Sequence, residues 1–424
     1  MWLSMAMMAV PAVAQTANQS SKLAFTIPDL FGPGGLTLPN PDHDAHFDSS
    51  FQQNFGPFTT AVASQLSSLP VPSSASGFTY TFDPALGVYN RSAESFGPIL
   101  TERAETLGKG KFYAGFAYQH FKFSSLDGTD LRRFPSVFTH IQSTADPLIK
   151  QDLITTNNLV DAQIGQFTSF FTYGLMNRLD VSVAIPMVSA SIGAVSTATI
   201  QRIGTGTNDT IHYFLDGNGN HTDHKQFSAN GSASGIGDVL LRVKGTAVNG
   251  KRARLALGVD VRMPTGDEYN FLGSGAAGVK PFVAVSTRTG KISPHVNLGF
   301  QWNGSSVLAG DIRTGARGHL PNQFTYAAGF DAGVSKTFTF AFDVLGQEVM
   351  SAQRLNQVPF TAANGKVFQQ IAFSRESLNI TNGSVGFKVA PISTLLVSAN
   401  FIFQMNNAGL RSRVVPLVGV SYAF

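Results

Sequence analysis

Charged residues recur at matched spacings through the middle of the chain: Asp238, Arg242, Lys244, Arg252, Arg254, Asp260, Arg262, Lys280 and Arg288. Bases outnumber acids in this set, so one chemistry it could perform is attraction of anions along a wall. The other is a ladder of salt bridges with Asp180, Asp238, Asp260 and Asp343, which would order an interior and anchor a further segment against it. The second is the reading favoured here, because the acids fall at compatible depths. His295 is predicted to face the interior beside Ser293 and Asn297, an arrangement that could loosely host hydrolysis. No Gly-x-Ser-x-Gly elbow and no His-Glu-x-x-His pair accompanies it. His295 is therefore expected to be an interior polar residue, and no enzyme is expected.

The run Asp216-Gly217-Asn218-Gly219-Asn220-His221-Thr222-Asp223-His224 offers oxygen atoms at alternating positions, as calcium loops do. It lacks glycine at the sixth place and glutamate at the twelfth, which is Phe227. A solvated loop is expected, and the pair His221 and His224 is weak support for a metal. There is no cysteine, which removes disulfides, thiolate metal sites and thiol nucleophiles. No metal and no cofactor are expected. The net charge of +4 comes without a clustered basic face, so nucleic acid is not a partner either.

The elements that carry these charges alternate strictly. Phe338, Phe340, Phe342 and Val344 share one face of a strand, and Thr337, Thr339, Ala341 and Asp343 share the other. Leu255, Leu257, Val259 and Val261 oppose Arg254, Ala256, Gly258, Asp260 and Arg262 in the same way. Phe324, Tyr326, Ala328 and Phe330 oppose Thr325, Ala327, Gly329 and Asp331. Charges thus fall on one face only. A charge on a lipid-facing position at the bilayer midplane costs about 2–4 kcal/mol for Arg or Lys, which is a physical reason for such phasing. The last strand alternates likewise and ends Tyr422-Ala423-Phe424, with aromatic rings at interface depth.

Twelve strands are predicted, near 110–124, 157–174, 178–199, 235–248, 252–264, 279–289, 291–303, 323–334, 337–350, 377–389, 393–405 and 411–424. Their connections alternate long and short, with Thr289-Gly290 and Asn249-Gly250 as hairpin turns. Outer-membrane barrels have short turns on the periplasmic side and long loops outside. Charged residues make up only 13% of the 424, against about 25% in ordinary globular chains, while aromatics reach 11%. Beyond the amino terminus no run of about 18 uncharged apolar residues is present, so helical membrane spans are not expected. Closed sheets are the other way to satisfy backbone groups in hydrocarbon.

Residues 1–14 read as a signal peptide, with an apolar run and the small-x-small site Ala12-Val13-Ala14. Its start carries no Lys or Arg, which suggests a longer natural leader. Residues 15–108 are rich in Pro, Ser and Phe and show little alternation. A helix is predicted from Phe58 to Leu69 and a short hairpin across Thr79–Tyr89. The segment is too apolar to stay solvated, and the barrel interior or its periplasmic mouth is where it should pack. Residues 109–424 form the barrel.

The runs Tyr173-Gly174-Leu175-Met176-Asn177-Arg178-Leu179-Asp180-Val181-Ser182-Val183-Ala184-Ile185-Pro186, Gly235-Ile236-Gly237-Asp238-Val239-Leu240-Leu241-Arg242 and Pro264-Thr265-Gly266-Asp267, the last leading to Asn270-Phe271-Leu272-Gly273-Ser274-Gly275, carry a resemblance. Over roughly residues 95–424 the chain resembles the outer-membrane transporter family labelled Putative MetA-pathway of phenol degradation. That resemblance implies a barrel of the wider fatty-acid and aromatic-hydrocarbon channel class, with an amino-terminal segment that plugs the lumen. Fourteen strands are usual in that class, and Phe78–Ser92 could supply the missing hairpin.

The fold class expected is all-β: a transmembrane antiparallel β-barrel of about 12 strands, alternatively 14, with an N-terminal plug. The function expected is passive movement of small hydrophobic or aromatic compounds across the bacterial outer membrane. A water-filled porin for polar or anionic solutes and a structural or adhesive barrel are the alternatives. Phe78, Tyr80, Phe82, Phe96 and Phe121 are the expected substrate pocket, since such a pocket needs aromatic area beside a few polar groups. Asp238, Arg242, Lys244, Arg254, Asp260, Arg262, Lys280, His295, Asp331 and Asp343 are expected to line the lumen. The partners expected are outer-membrane lipid, a small-molecule substrate, and the barrel-assembly machinery through the strand ending at Phe424.

Overall fold

The computed structural model describes residues 22–32, 35–44, 47, 56–71, 73, 80–83, 88–91, 95–140, 151–250, 252–392 and 394–424. The signal-peptide expectation at residues 1–14 lies outside them. Twelve strands make the wall: β1 Phe112–Leu126, β2 Leu153–Met176, β3 Leu179–Gln201, β4 Val239–Asn249, β5 Ala253–Met263, β6 Gly278–Thr287, β7 Ile292–Asn303, β8 Gln323–Gly333, β9 Phe338–Thr361, β10 Val367–Ile392, β11 Leu395–Gln404 and β12 Val414–Ala423. Each pairs antiparallel with its neighbours in sequence. β12 returns to β1 in the register Leu417↔Gln119 to Ala423↔Tyr113, which closes the cylinder.

The alternative of fourteen strands is corrected. Tyr80–Asp83 and Val88–Arg91 do pair as a hairpin, but they form a separate two-stranded sheet and add nothing to the wall. Gly290 takes a left-handed conformation (φ 61°) in the tight connection between β6 and β7, where a residue without Cβ is required.

β4 to β8 run 10–12 residues each, close to the roughly 9–11 that a tilted strand needs to cross hydrocarbon. β2, β3, β9 and β10 run 23–26 residues and project far beyond that layer. The chemistry of their two faces exchanges along the way while the pleat continues unbroken. Low on β3, Val181, Ile185 and Met187 point outward and Asp180 and Ser182 are buried inside. Higher up, Val188, Ala190, Ile192, Ala194, Ala198 and Ile200 are the buried set, and Ser189, Ser191, Thr197 and Thr199 face out. Lipid wants an oily exterior, whereas water beyond the bilayer wants the reverse.

The long connections left between the predicted strands at 200–234 and 351–376 are accordingly corrected: much of each is strand. His224–Ile236 pairs with the upper half of β3, and residues 352–361 pair with 367–376. Their outward Ser, Asn and Gln residues suit a wet surface, so the pattern read as loop. The apolar interior of this upper storey is filled by the amino-terminal residues Leu23, Ile27, Leu30 and Phe31. The Phe31 ring packs edge-on against Phe138 and Phe227, with centroids 5.4 and 5.0 Å away.

Helix α1, Gly56–Ser67, lies across the interior below this cluster. Phe58, Val62 and Leu66 bury into the same core, and Thr59 and Thr60 donate to the Leu308 carbonyl at 2.9 and 3.0 Å. No helix among the described residues is long and apolar enough to cross a membrane.

Candidate functional site: an amphipathic cavity inside the barrel

Residues 95–107 run through the lower lumen, tied to inward side chains from most of the circumference. Glu102 Oε1 meets Arg242 of β4 at 2.5 Å, and its Oε2 meets Lys244 at 2.7 Å. The Glu102 amide donates to Asn297 Oδ1 (2.6 Å), and Asn297 Nδ2 donates back to the Glu102 carbonyl (2.8 Å). Arg103 pairs with Asp331 of β8, and Ser95 bonds to both. Glu105 takes Arg254 at 2.6 Å and the Ser286 hydroxyl at 2.9 Å. The Leu107 amide donates to Asp180 (2.9 Å), and Lys388 of β10 reaches the Pro98 carbonyl at 2.5 Å. Buried charges are stable only when paired and hydrogen-bonded, and here the wall and the interior segment satisfy one another.

Above this layer lies a cavity of about 270 Å³. Its floor includes Leu100, Thr101 and Glu102, and its roof is the carboxyl end of α1 with Leu69, Pro70 and Val71. One wall is charged. Arg242 grips Asp260 through Nε and Nη2 at 2.6 and 2.8 Å, and Lys280 lies 3.1 Å from the same carboxylate. Arg262 lies 3.6 Å from Asp238 and donates to the Ser67 carbonyl at 2.6 Å, which sets a cation at the negative end of the helix. The opposite wall is apolar, built from Phe121, Phe123, Ile380, Ile402 and Val415. Arg411 also lines the cavity on that side.

Of the residues expected at the lumen, Asp238, Arg242, Asp260, Arg262 and Lys280 line this cavity. Asp238 has a structural role besides, accepting from the Ser274 amide (2.8 Å) and hydroxyl (2.6 Å) and holding the 264–277 connection inward. Lys244, His295, Asp331 and Asp343 are buried in the layer below, and Arg254 sits nearer the periplasmic rim with Glu105. His295 Nε2 lies 2.6 Å from Asp343 and 2.9 Å from the Thr101 hydroxyl, its side chain fully enclosed. Arg252 is exposed, in the turn that precedes β5.

Of the five aromatic residues expected to form the pocket, Phe121 lines the cavity. Phe96 is enclosed lower down with Leu107, Tyr113, Phe170 and Leu396. Tyr80 and Phe82 lie on the separate hairpin, and Phe78 lies outside the described residues. In the candidate calcium loop, Asp216 Oδ1 accepts the amides of Asn218 and Asn220 at 2.8 Å each, and His221 stacks on Tyr213 with centroids 3.7 Å apart.

Sequence reasoning missed Glu102, Arg103, Glu105 and Arg411. A signal for the first three was present: Glu102-Arg103-Ala104-Glu105 is a dense charge run after residues 56–101, where only Asp83, Arg91 and Glu94 are charged.

An apolar belt around a sealed antiparallel cylinder, with Arg242, Lys244, Asp260, Asp331, Asp343 and Lys388 buried inside it, makes this an outer-membrane barrel. None of the curated proteins matches the chain in sequence. Similar solved structures include the COG4313 outer membrane channel of Pseudomonas putida, at 14% identity and TM-score 0.47, covering 76% of this chain and 98% of that one. A Pseudomonas aeruginosa FadL homologue is similar at 8% identity and TM-score 0.34, covering 84% and 98%. The Ralstonia pickettii toluene transporter TbuX is similar at 9% identity and TM-score 0.30, covering 75% and 90%. The family model described as Putative MetA-pathway of phenol degradation matches residues 155–407, more than half of the chain, and the protein belongs to that family of outer-membrane channels.

Proposed function

We propose that the barrel is a passive channel for small hydrophobic or aromatic compounds, with residues 15–108 acting as its plug. The observation that carries this reading is the cavity itself, apolar on one wall, charged on the other, and floored by a segment that the lumen grips through Glu102, Arg103 and Glu105. A water-filled porin needs a continuous wet passage, which the docked segment opposes. A hydrophobic solute is captured from above, held against Phe121 and Phe123, and released down its gradient. The part of the plug that occludes is the bonded stretch 95–107. The strand ending at Phe424 is the segment that the barrel-assembly machinery would engage.

The test is uptake of radiolabelled toluene by cells lacking the protein and by complemented cells, alongside swelling of proteoliposomes in arabinose. Faster toluene entry with little swelling is expected. Porin-like swelling with no change in toluene entry would overturn the proposal.

A further inference from the structure

Four cations line the cavity, and three of them face carboxylates: Arg242 and Lys280 share Asp260, and Arg262 faces Asp238. Arg411 differs. It is 3% exposed, and no carboxylate among the described residues lies within salt-bridge distance of it. Its Nη2 donates to the Thr381 carbonyl and to Asn382 Oδ1, each at 2.8 Å, and its Nε is enclosed without any hydrogen-bond partner. The neighbouring Ser412 hydroxyl also lines the cavity and is likewise buried and unpartnered. Both residues sit on the short strand Leu410–Ser412, whose pairing with β1 shifts register between them, so that two adjacent residues serve one cavity.

A guanidinium taken out of water without a counter-charge is costly, and so is a buried hydroxyl without a partner. The bonds to Thr381 and Asn382 orient the planar fork but supply no negative charge. A planar carboxylate supplies it, in the two-pronged geometry that arginine favours. Phe121, Phe123, Ile402 and Leu410 surround this end of the cavity with apolar area. About 270 Å³ is just below the roughly 300–1,000 Å³ of drug-sized pockets, which suits a ligand of one ring.

We infer that the cavity selects a small aromatic carboxylate, its acid group on Arg411 and Ser412 and its ring on the Phe121–Phe123 wall. This rests on the channel reading above and names the solute class.

The test titrates the whole detergent-solubilised protein with sodium benzoate and with benzamide, its neutral isostere, by calorimetry. Wild type should bind benzoate at least tenfold more tightly than benzamide. Arg411→Gln should abolish that preference and leave benzamide affinity within twofold, with Arg411→Lys intermediate because the charge remains and the fork is lost. Equal affinities in wild type, or a preference that survives Arg411→Gln, would overturn the inference. If Arg411→Gln fails to fold, the wild-type comparison decides alone. A wild type without benzoate preference but with intact toluene uptake removes only the carboxylate site. A wild type lacking both the preference and toluene uptake removes the channel reading as well.

Discussion

Replacing Glu102 with Gln should release the interior segment. Arg242 keeps Asp260 after the change, with contacts at 2.6 and 2.8 Å, so its charge stays compensated. Lys244 is left with the Arg103 carbonyl at 3.1 Å, and no other carboxylate among the described residues lies within salt-bridge distance of it. Removing one partner of a buried pair costs about 3–5 kcal/mol. The glutamine amide still offers hydrogen bonds and Arg242 remains paired, so the lower end applies, about 3 kcal/mol. At about 1.4 kcal/mol per tenfold, that moves the docked-to-undocked ratio by roughly a hundredfold. Single-channel recording in planar bilayers reads this as a matching rise in the fraction of time spent in open states. Adding Lys244→Met to Glu102→Gln should restore most of the wild-type closure, because the orphaned charge is gone. The reasoning is refuted if the single variant, folded as judged by heat-modifiable electrophoretic mobility, opens no more often than wild type.

Leu257 lies outward near the middle of β5, so Leu257→Arg should lower stability by about 2–4 kcal/mol in lipid-vesicle unfolding, whereas Ser191→Arg on the wet upper part of β3 should cost almost nothing. A Cβ at Gly174 would fall 1.9 Å from the Gly108 carbonyl, in the close approach where the Gly110 amide donates to the Gly174 carbonyl. Gly174→Ala should therefore cost about 1–3 kcal/mol, read as a lower temperature for the mobility shift on gels. At the far end of the upper storey, burial pushes the Asp152 carboxyl up, but hydrogen bonds from His212, Thr205 and the Gly204 amide outweigh it and hold the group below its ordinary value. A depressed carboxylate contributes stability above its unfolded pKa of about 4 and loses it as pH falls through the folded value. Proteolysis in the 202–212 connection should then accelerate below about pH 4, and Asp152→Asn should abolish that pH dependence.

Period-two alternation is a local property, and it carried the barrel. Phe338 to Val344 and Leu255 to Arg262 each declare two faces within seven or eight residues, and a hairpin turn such as Thr289-Gly290 fixes which strand comes next. Twelve strands and the inward placement of Arg242, Asp260 and Asp331 follow from that pattern alone. The strand His224–Ile236 and the upper parts of β9 and β10 escaped it because solvent replaces lipid there, so their outward Ser, Asn and Gln residues read as loop. Pairing across the lumen is a different matter: Glu102 meets Lys244 across 142 positions and Arg103 meets Asp331 across 228, and no local spacing encodes such a match. Arg411 is the extreme case, one of two arginines in a short stretch of sequence, Asn406 to Arg413. Only closure of the cylinder brought it to the wall of a cavity without an acid beside it, because desolvation belongs to the assembled volume and not to any stretch of chain.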